Sequence, residues 1–324
     1  MILQRIRRRK AEPTTVAQQE AAQIRDRLAD WRALTSAPRP DWPPQAKPLD
    51  ADGFPDLNAS DLDLDTLTAG LQQYGGLTLR DVITPQEAAG LRAKLDHILD
   101  LAESQKRGES VDVTEGGRAA WRTTLHDPAT GRPAGPKWRW ENRDFPGEAP
   151  IADSPHLALE LIEMYRRVGL TQLVERYLGE PGAVSLQKWT MRRVPPTAYS
   201  SWHQDGNKLG GDAVRSVNVW IALSDCGVDA PGLDVIPLRL TEIVPTGTPG
   251  AYFTWDVAPD VVDQVREGRP VISPHFRVGD AFVFDHWLLH RTGVHENFTK
   301  DRYALETWFF APSHFPEGYD GILV

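Results

Sequence analysis

The amino-acid sequence predicts an α+β protein, in which a helical N-terminal half packs around a C-terminal β-structure of jelly-roll type. Residues 14–34 and 84–102 carry apolar side chains at helical spacing. From residue 183 onward, short segments rich in β-branched and aromatic residues alternate with turns that contain Gly and Pro. Many short strands of this kind are typical of β-sandwiches and β-barrels.

The first 60 residues are predicted to form a helix and a proline-rich arm. Ile24, Leu28 and Trp31 share one face of the helix predicted over 14–34, and prolines recur over 38–55. We expect residues 61–324 to form one domain with a helical start. A helix over 61–74 ends at two glycines, and a strand is predicted over 77–83.

A capping pattern marks the next helix. Thr84 is the N-cap, Pro85 occupies the first helical position and Glu87 completes a capping box, which predicts a helix to about residue 102. Residues 105–155 are irregular, so we interpret them as a long loop or lid. A helix over 156–177 follows, and later strands are predicted over 183–194, 216–223, 233–236, 251–254, 271–276, 281–284 and 303–310.

Charge and cysteine content exclude several classes of protein. The chain has 324 residues and a formal net charge of −9, so neither nucleic acid nor anionic lipid is an expected partner. No apolar run approaches the ~18 residues of a membrane span. The one cysteine, Cys226, allows no intramolecular disulfide and no cysteine-rich zinc site, which fits a cytoplasmic protein. It follows an apolar strand without a neighbouring histidine, which argues against a nucleophilic role.

The segment from Trp202 to Asp205 carries the clearest chemical signal. His203 and Asp205 are two residues apart, and in a strand such residues point to the same face. His290 ends the apolar run over 281–289 and is the expected third ligand. Two histidines and one carboxylate leave open positions on iron(II), as in non-haem iron oxygenases. His286 and His295 are the rival ligands, and His290 is preferred because of the residues that follow it.

A possible carboxylate clamp follows His290. Arg302 comes 12 residues later, where an adjacent strand returns to the metal, and a guanidinium binds a carboxylate through two hydrogen bonds. We therefore expect Arg302, with the Thr292 hydroxyl, to bind the far carboxylate of 2-oxoglutarate. Gln187 and Thr190, on the strand before the first ligand, are candidates for the keto-acid end. A structural ion pair with Asp280 is the alternative role for Arg302.

These motifs in this order resemble the phytanoyl-CoA dioxygenase (PhyH) family. Its pattern is matched by Trp202-His203-Gln204-Asp205, by the Val-Asn-Val-Trp-Ile-Ala-Leu segment over 217–223, and by Gly279-Asp280 leading to Phe284, His290, Thr292 and Arg302. The likeness covers about residues 70–312. It implies a double-stranded β-helix (jelly-roll, cupin-like) core and an iron(II)/2-oxoglutarate-dependent dioxygenase that also consumes dioxygen.

The chain departs from the family pattern after its middle strand. Many such proteins carry Gly-Ser-His there, whereas this chain has Pro237 followed by Leu238-Arg239-Leu240, a change that bears on substrate binding. Related halogenases replace the metal-binding carboxylate by a small residue. Asp205 is therefore more consistent with oxygenation than with halide binding.

The expected reaction is hydroxylation of an unactivated C–H bond in a small organic metabolite, an acyl compound or a natural-product intermediate. Trp202, Trp138, Trp140 and Arg193 are candidates for substrate contact. Two alternatives remain open at this point: a non-catalytic metal- or ligand-binding β-barrel protein, and an iron oxygenase that does not use 2-oxoglutarate. The sequence specifies no oligomeric state.

Overall fold

The computed structural model describes residues 15–36, 42, 46–49, 54–110, 114–115, 118–119, 125–135 and 147–324. Much of the predicted proline-rich arm and of the predicted lid lies outside these residues. The same is true of Trp138 and Trp140, two of the expected substrate contacts.

The described strands are β1 (Asp56–Asn58), β2 (Gly76–Arg80), β3 (Thr114–Glu115), β4 (Arg118–Ala119), β5 (Glu148–Pro150), β6 (Ala183–Val194), β7 (Ser216–Ala222), β8 (Gly232–Val235), β9 (Ala281–Phe284), β10 (His290–Gly293), β11 (Arg302–Phe310) and β12 (Gly321–Leu323). The larger sheet has the order β1-β2-β9-β7-β11-β6-β12, and β5 also pairs with β6. Strands β8 and β10 form a small antiparallel sheet. It packs over one face of the larger sheet, since Leu233 and Val235 share an apolar cluster with Trp220 and Phe282.

The described α-helices are α1 (Val16–Leu34), α2 (Leu64–Ala69), α3 (Pro85–Lys106), α4 (Pro155–Arg167), α5 (Leu170–Leu178), α6 (Gly206–Leu209) and α7 (Pro259–Arg266). Helix α3 begins as predicted, because Thr84 and Glu87 form the reciprocal capping box and Pro85 stands in the first turn. Among the described residues, none of these helices combines the length and the apolar character needed to cross a bilayer.

Side chains on opposite faces of the central strands belong to two separate apolar layers. On β7, Val217, Val219 and Ile221 pack toward the helices, whereas Trp220 and Ala222 face the small sheet. Strand β11 behaves in the same way, with Leu305 and Phe309 on the helical side. Because side chains alternate across a strand, one run of sequence supplies the helix-packing core and the lining of the space between the sheets.

Helix α1 packs against the C-terminal end of the chain. The Trp31 ring lies 4.8 Å from that of Phe315 between centroids, and an Arg27 guanidinium nitrogen donates to the Leu323 carbonyl at 3.0 Å. Ile24 and Leu28 are buried in the same apolar cluster as the helices beneath the large sheet. The amphipathic face predicted for residues 14–34 is therefore the face that this helix buries.

Three predicted elements differ from the structure. The helix predicted over 156–177 is two helices, because Gly169 between them adopts a left-handed backbone with φ of 77°. Residues 251–254 form turns instead of a strand, with the Phe253 amide donating to the Asp256 carboxylate at 3.1 Å. Residues 271–276 make only isolated bridges, at Ile272 and Phe276.

Gly279, just before β9, provides a test of this architecture. Its φ is 93°, and a Cβ there would stand 2.2 Å from the Ile83 carbonyl oxygen. We expect Gly279→Ala to lower the free energy of unfolding by about 2 kcal/mol or more, because strain and a backbone clash combine. Gly90 lies in α3 with open space around it, so Gly90→Ala should raise that free energy by about 0.5–1 kcal/mol. Urea unfolding followed by circular dichroism measures both, and equal stability of the two variants would contradict the packing described at Gly279.

Candidate active site

A cavity of about 250 Å³ opens between the two sheets. Its wall comes from strands β6 to β11, from the segment 201–208 and from Trp255. The cavity-facing side chains of β6 and β11 are charged: Lys188 and Arg192 on the first, Arg302 and Glu306 on the second. A concave site with several converging charged groups is the usual setting for ligand binding.

Three side chains with metal-binding atoms meet in this cavity. The ligand atoms of His203, Asp205 and His290 all lie within 4.8 Å of one another. The His290 Nε2 atom is 3.6 Å from an Asp205 carboxylate oxygen, and the two imidazole rings are 4.4 Å apart between centroids. Among the described residues this is the one cluster of three or more His, Cys, Asp or Glu side chains able to hold a metal ion.

Main-chain hydrogen bonds hold the two histidines together. Each backbone N–H donates to the other residue's carbonyl, at 2.9 Å from His203 and 3.1 Å from His290. The Nδ1 atoms also face carbonyl oxygens, that of Ser201 at 2.9 Å and that of Leu288 at 3.0 Å. Because a carbonyl only accepts, both Nδ1 atoms carry a proton, so that Nε2 is the atom with the lone pair in each neutral imidazole. This is the tautomer that binds a metal through Nε2.

Asp205 reaches the cluster by a different route from the one predicted. It has helical backbone angles, φ −62° and ψ −27°, and directly precedes α6, so it does not lie on the strand face of His203. The intervening Gln204 fixes this turn. Its amide nitrogen donates to the Trp287 carbonyl at 2.8 Å, and its amide oxygen accepts from the Val244 N–H at 2.8 Å. This turn, held by the two hydrogen bonds of the Gln204 amide, brings the Asp205 carboxylate to His203 and His290.

Electrostatics favour the metal-binding protonation states. Burial, together with the nearby His290, lowers the pKa of His203 to about 4, so the imidazole is neutral at neutral pH. Burial alone would raise the pKa of Asp205. The ammonium group of Lys188, 2.9 Å away, and the two imidazoles reverse this and hold that pKa well below its usual range. Neutral imidazoles and an ionised carboxylate are the forms that ligate divalent iron.

Lys188 and Arg192 are site residues that the sequence interpretation missed. Lys188 pairs with Asp205, and an Arg192 guanidinium nitrogen lies 3.7 Å from the Glu306 carboxylate. Both stand on even-numbered positions of β6 and face the cavity. The sequence carries no distinct signal for them, because polar and charged residues occur on both faces of β6, as Gln187 and Arg193 show.

Arg302 is buried in the cavity wall, and none of the acidic residues that the structure describes pairs with it. One of its guanidinium nitrogens donates to the Gly232 carbonyl at 3.0 Å, and its guanidinium lies 5.6 Å from the Trp220 ring centroid. No carboxylate of a described residue lies within ion-pair distance, and its Nε has no hydrogen-bond partner among them. Asp280, the suggested structural partner, instead pairs with Arg80 at 2.6 Å. Burial lowers the pKa of Arg302 to about 10, which leaves it charged at neutral pH.

A second incompletely satisfied polar group faces the same space. Asn218, on β7, is buried and lines the cavity, and its amide oxygen has no partner in the described structure. A buried polar atom without a partner is costly and is retained chiefly where a ligand completes its hydrogen bonding. Asn218 was not predicted from the sequence. Asn218 and Trp220 are two residues apart on β7, so both side chains lie on the cavity face.

The structure does not bring three expected co-substrate residues to the cavity wall. Thr292 lies two residues beyond His290 on β10, but it is not part of the lining. The Gln187 amide donates to the Gly135 carbonyl and to Asp320, on the other face of β6, because an odd position points away from the cavity. The Thr190 hydroxyl is bound to the Ala149 carbonyl at 3.1 Å, where β5 covers this part of β6.

The described candidates for substrate contact also lie elsewhere. Arg193 points away from the cavity toward Asp96 and Asp301, at 3.3 and 3.9 Å. Trp202 is buried in a small apolar cluster with Ile236 and Leu289, and it packs beneath the Arg291 guanidinium. Its role in this structure is packing next to His203.

The rival ligands are engaged in other contacts. His286 is buried with Nδ1 2.7 Å from the Ser216 hydroxyl and is outside the cluster, and the His295 ring lies against Phe298 in a loop. Asp285, next to His286, pairs with Arg239 at 3.2 Å and accepts from the Trp287 N–H at 3.0 Å. Burial raises the pKa of the Cys226 thiol to about 11, which removes it as a nucleophile at neutral pH.

Comparison with protein families gives a match over most of the chain. The model of the family described as phytanoyl-CoA dioxygenase (PhyH) matches residues 71–302. This span includes every residue of the metal-binding cluster and ends at Arg302. A comparison with curated proteins finds no match.

Solved structures with the same fold include EctD from S. alaskensis. Its structure with 2-oxoglutarate and 5-hydroxyectoine is 17% identical, covers 86% of this chain and 89% of that one, and has a TM-score of 0.53. The structure of EctD with bound Fe is 14% identical, covers 77% of each chain and has a TM-score of 0.50. A third, the carbocyclase SnoK from nogalamycin biosynthesis, is 14% identical with a TM-score of 0.49, covering 78% of this chain and 85% of that one. The first two confirm the predicted double-stranded β-helix fold.

Exchange of single histidines tests which of them bind metal. We expect His290→Ala to weaken iron(II) binding at least roughly 100-fold, because one of three ligands is lost. His286→Gln, four residues earlier and equally buried, should bind one equivalent of iron with nearly the original affinity. Anaerobic calorimetric titration of both variants, after circular dichroism has established that each is folded, makes the comparison. Loss of iron from His286→Gln alone would assign the ligand role to His286.

Proposed function

Because the chain belongs to the phytanoyl-CoA dioxygenase family, we propose that His203, Asp205 and His290 hold the iron(II) of a 2-oxoglutarate-dependent dioxygenase. Enzymes of this class use iron(II), 2-oxoglutarate and dioxygen, and this protein is one of them. The observation that carries the residue assignment is the meeting, in one cavity, of this cluster and of the unpaired guanidinium of Arg302.

The donor set fits iron(II). Two Nε2 lone pairs and one carboxylate are the ligands of a facial triad, which leaves positions for a chelating co-substrate and for dioxygen. When bound, the iron supplies the oxygen activation, for which amino-acid side chains have no equivalent. The chain's contribution is to hold both imidazoles in the Nδ1–H tautomer, through the carbonyls of Ser201 and Leu288, and to keep Asp205 ionised beside Lys188.

Arg302 is suited to bind the far carboxylate of 2-oxoglutarate. It is charged and buried, and no described residue is its acidic partner, so a carboxylate that enters the cavity gains a charge-assisted hydrogen bond and satisfies its Nε. We assign the Lys188 ammonium group to the polar contacts of the same molecule, in place of Gln187, Thr190 and Thr292. The Trp220 ring beneath the guanidinium limits its movement.

Hydroxylation of a small organic molecule in the cytoplasm is the proposed physiological reaction. The cavity holds about 250 Å³, which suits a co-substrate and the reacting part of a small molecule. Lys208 and Trp255 line the cavity without belonging to the metal cluster, and they are available for substrate contact. The single cysteine is buried and unpaired, which is consistent with a reducing compartment.

Turnover of 2-oxoglutarate without substrate tests the assignment most directly. We expect the purified protein with iron(II) to convert 2-oxoglutarate into succinate, slowly and only in the presence of oxygen. Excess EDTA should abolish this reaction, and added iron(II) should restore it. The measurement is succinate by mass spectrometry, and tight iron binding without any succinate would contradict the proposal.

A pair of arginine variants tests the co-substrate clamp. Arg302→Ala should raise the Kd for 2-oxoglutarate about 30-fold or more, because truncation of one partner of a buried charged pair costs roughly 2 kcal/mol or more. Arg193→Ala removes an arginine of the same region that faces Asp96 and Asp301, and it should leave that Kd within about twofold. Calorimetry on the iron-loaded, oxygen-free proteins gives both values. An unchanged Kd in Arg302→Ala would assign the co-substrate to another cation.

A further inference from the structure

We infer that the open end of the cavity binds substrates that carry a flat aromatic ring system with an acidic group, through Trp255, Phe253 and Lys208. This inference rests on the proposed function, because it places the substrate beside the proposed iron site. The wall formed by Tyr199, Tyr252, Phe253 and Trp255 is called the aromatic rim below.

The aromatic rim concentrates exposed apolar surface at the cavity. Among the described residues, seven large apolar side chains are exposed, and four of them are the members of the rim. Tyr252 is 76% exposed, whereas Trp255, 39% exposed, also lines the cavity. Exposed apolar patches on soluble proteins mark binding sites, and this one is continuous with the cavity that holds the metal-binding cluster.

The rings of the rim contact one another closely. The Phe253 and Trp255 rings are stacked, with centroids 4.4 Å apart and an interplanar angle of 10°. Tyr252 meets Phe253 edge-on at 4.7 Å, and Tyr199 lies 5.2 Å from each of these two rings. The rim therefore offers a broad aromatic surface, which favours a flat ring over a flexible chain, because aromatic contacts depend on ring geometry as well as on area.

Hydrogen bonds fix the rim relative to the metal-binding cluster. The Asp256 carboxylate accepts from the Tyr199 hydroxyl at 2.6 Å and from the Phe253 N–H at 3.1 Å. The Val257 N–H donates to the Trp202 carbonyl at 2.8 Å, one residue before His203. The rim is thus preorganised, and little conformational entropy is lost when a ring binds to it.

Among the described residues that line the cavity, the ion pairs leave one cation for the substrate. Lys188 pairs with Asp205, Arg192 lies beside Glu306, and Arg302 is assigned to 2-oxoglutarate. Lys208 lines the same cavity, its ammonium group is 5.0 Å from the Trp255 ring centroid, and no carboxylate of a described residue lies within ion-pair distance of it. An acidic group on the substrate complements this charge, and its position near Trp255 places that acid next to the ring.

Anaerobic calorimetry on the full chain, loaded with iron(II) and saturated with 2-oxoglutarate, tests the inference with three probes. They are 2-naphthoate, its uncharged analogue 2-naphthylmethanol and its saturated analogue decahydro-2-naphthoate. We expect 2-naphthoate to bind at least about tenfold more tightly than either analogue, since only it has both the flat ring and the charge. Saturating 2-oxoglutarate keeps Arg302 from binding the probe.

Two variants and two matched controls locate the binding. Trp255→Ala and Lys208→Gln should each weaken the binding of 2-naphthoate roughly tenfold. Lys208→Gln should in addition bind 2-naphthoate and 2-naphthylmethanol with equal affinity, because it has lost the charge that distinguishes them. Phe298→Ala and Lys300→Gln remove an aromatic ring and a lysine outside the cavity, and they should bind the acid as the unchanged protein does. Circular dichroism of each variant establishes that it is folded.

Three outcomes overturn the inference while the proposed function stands: no binding of 2-naphthoate, equal binding of the acid and its analogues, or full binding by Trp255→Ala. In each case the iron-loaded proteins still bind 2-oxoglutarate and form succinate. A concentration-dependent dimer that Trp255→Ala abolishes would also overturn it, because the rim would then be a subunit contact. If 2-oxoglutarate itself fails to bind, the proposed function and this inference are both wrong.

Discussion

The paired main-chain hydrogen bonds between His203 and His290 are the constraint on which the site depends. They join the loop after β6 to the first residue of β10, two parts of the chain 87 residues apart in sequence. Backbone groups rather than side chains make this connection, so the distance between the imidazoles is set by strand-like pairing. Asp205, Lys188 and the cavity wall are then arranged around a pair of ligands whose separation is already fixed.

The sequence predicted most of what depends on local pattern. Helix α3 follows from the capping residues Thr84 and Glu87, and the bounds of β6 and β9 follow from runs of β-branched and apolar residues. The turns around Phe253 were mistaken for a strand, since Tyr252, Phe253 and Thr254 are residue types common in strands but also occur in turns that expose aromatic side chains. The residues of the metal-binding cluster were named from their order along the chain, although Asp205 joins them through a turn and not along a strand.

The sequence did not indicate the cavity-facing side chains, which alternate along the strands with side chains of the apolar core. Gln187 and Arg193 were selected over Lys188 and Arg192 on the same strand, and one position of displacement moves a side chain to the opposite face of a sheet. Their register becomes evident only from the pairing of β6 with β11, where Arg192 stands opposite Ala304. Asn218 was overlooked for a related reason: it lies within an apolar segment, and its unsatisfied oxygen is a property of the packed structure alone.

The alternation along β6, β7 and β11 has a consequence for how such an enzyme changes over evolutionary time. Odd-numbered positions of β7 bind the sheet to the helices, whereas even-numbered positions face the space between the sheets. Replacement of a side chain on the inner face therefore leaves the outer packing untouched. Selection for a new specificity can act on inner-face positions such as 192 and 306, where replacement leaves the contacts between the sheet and the helices unchanged.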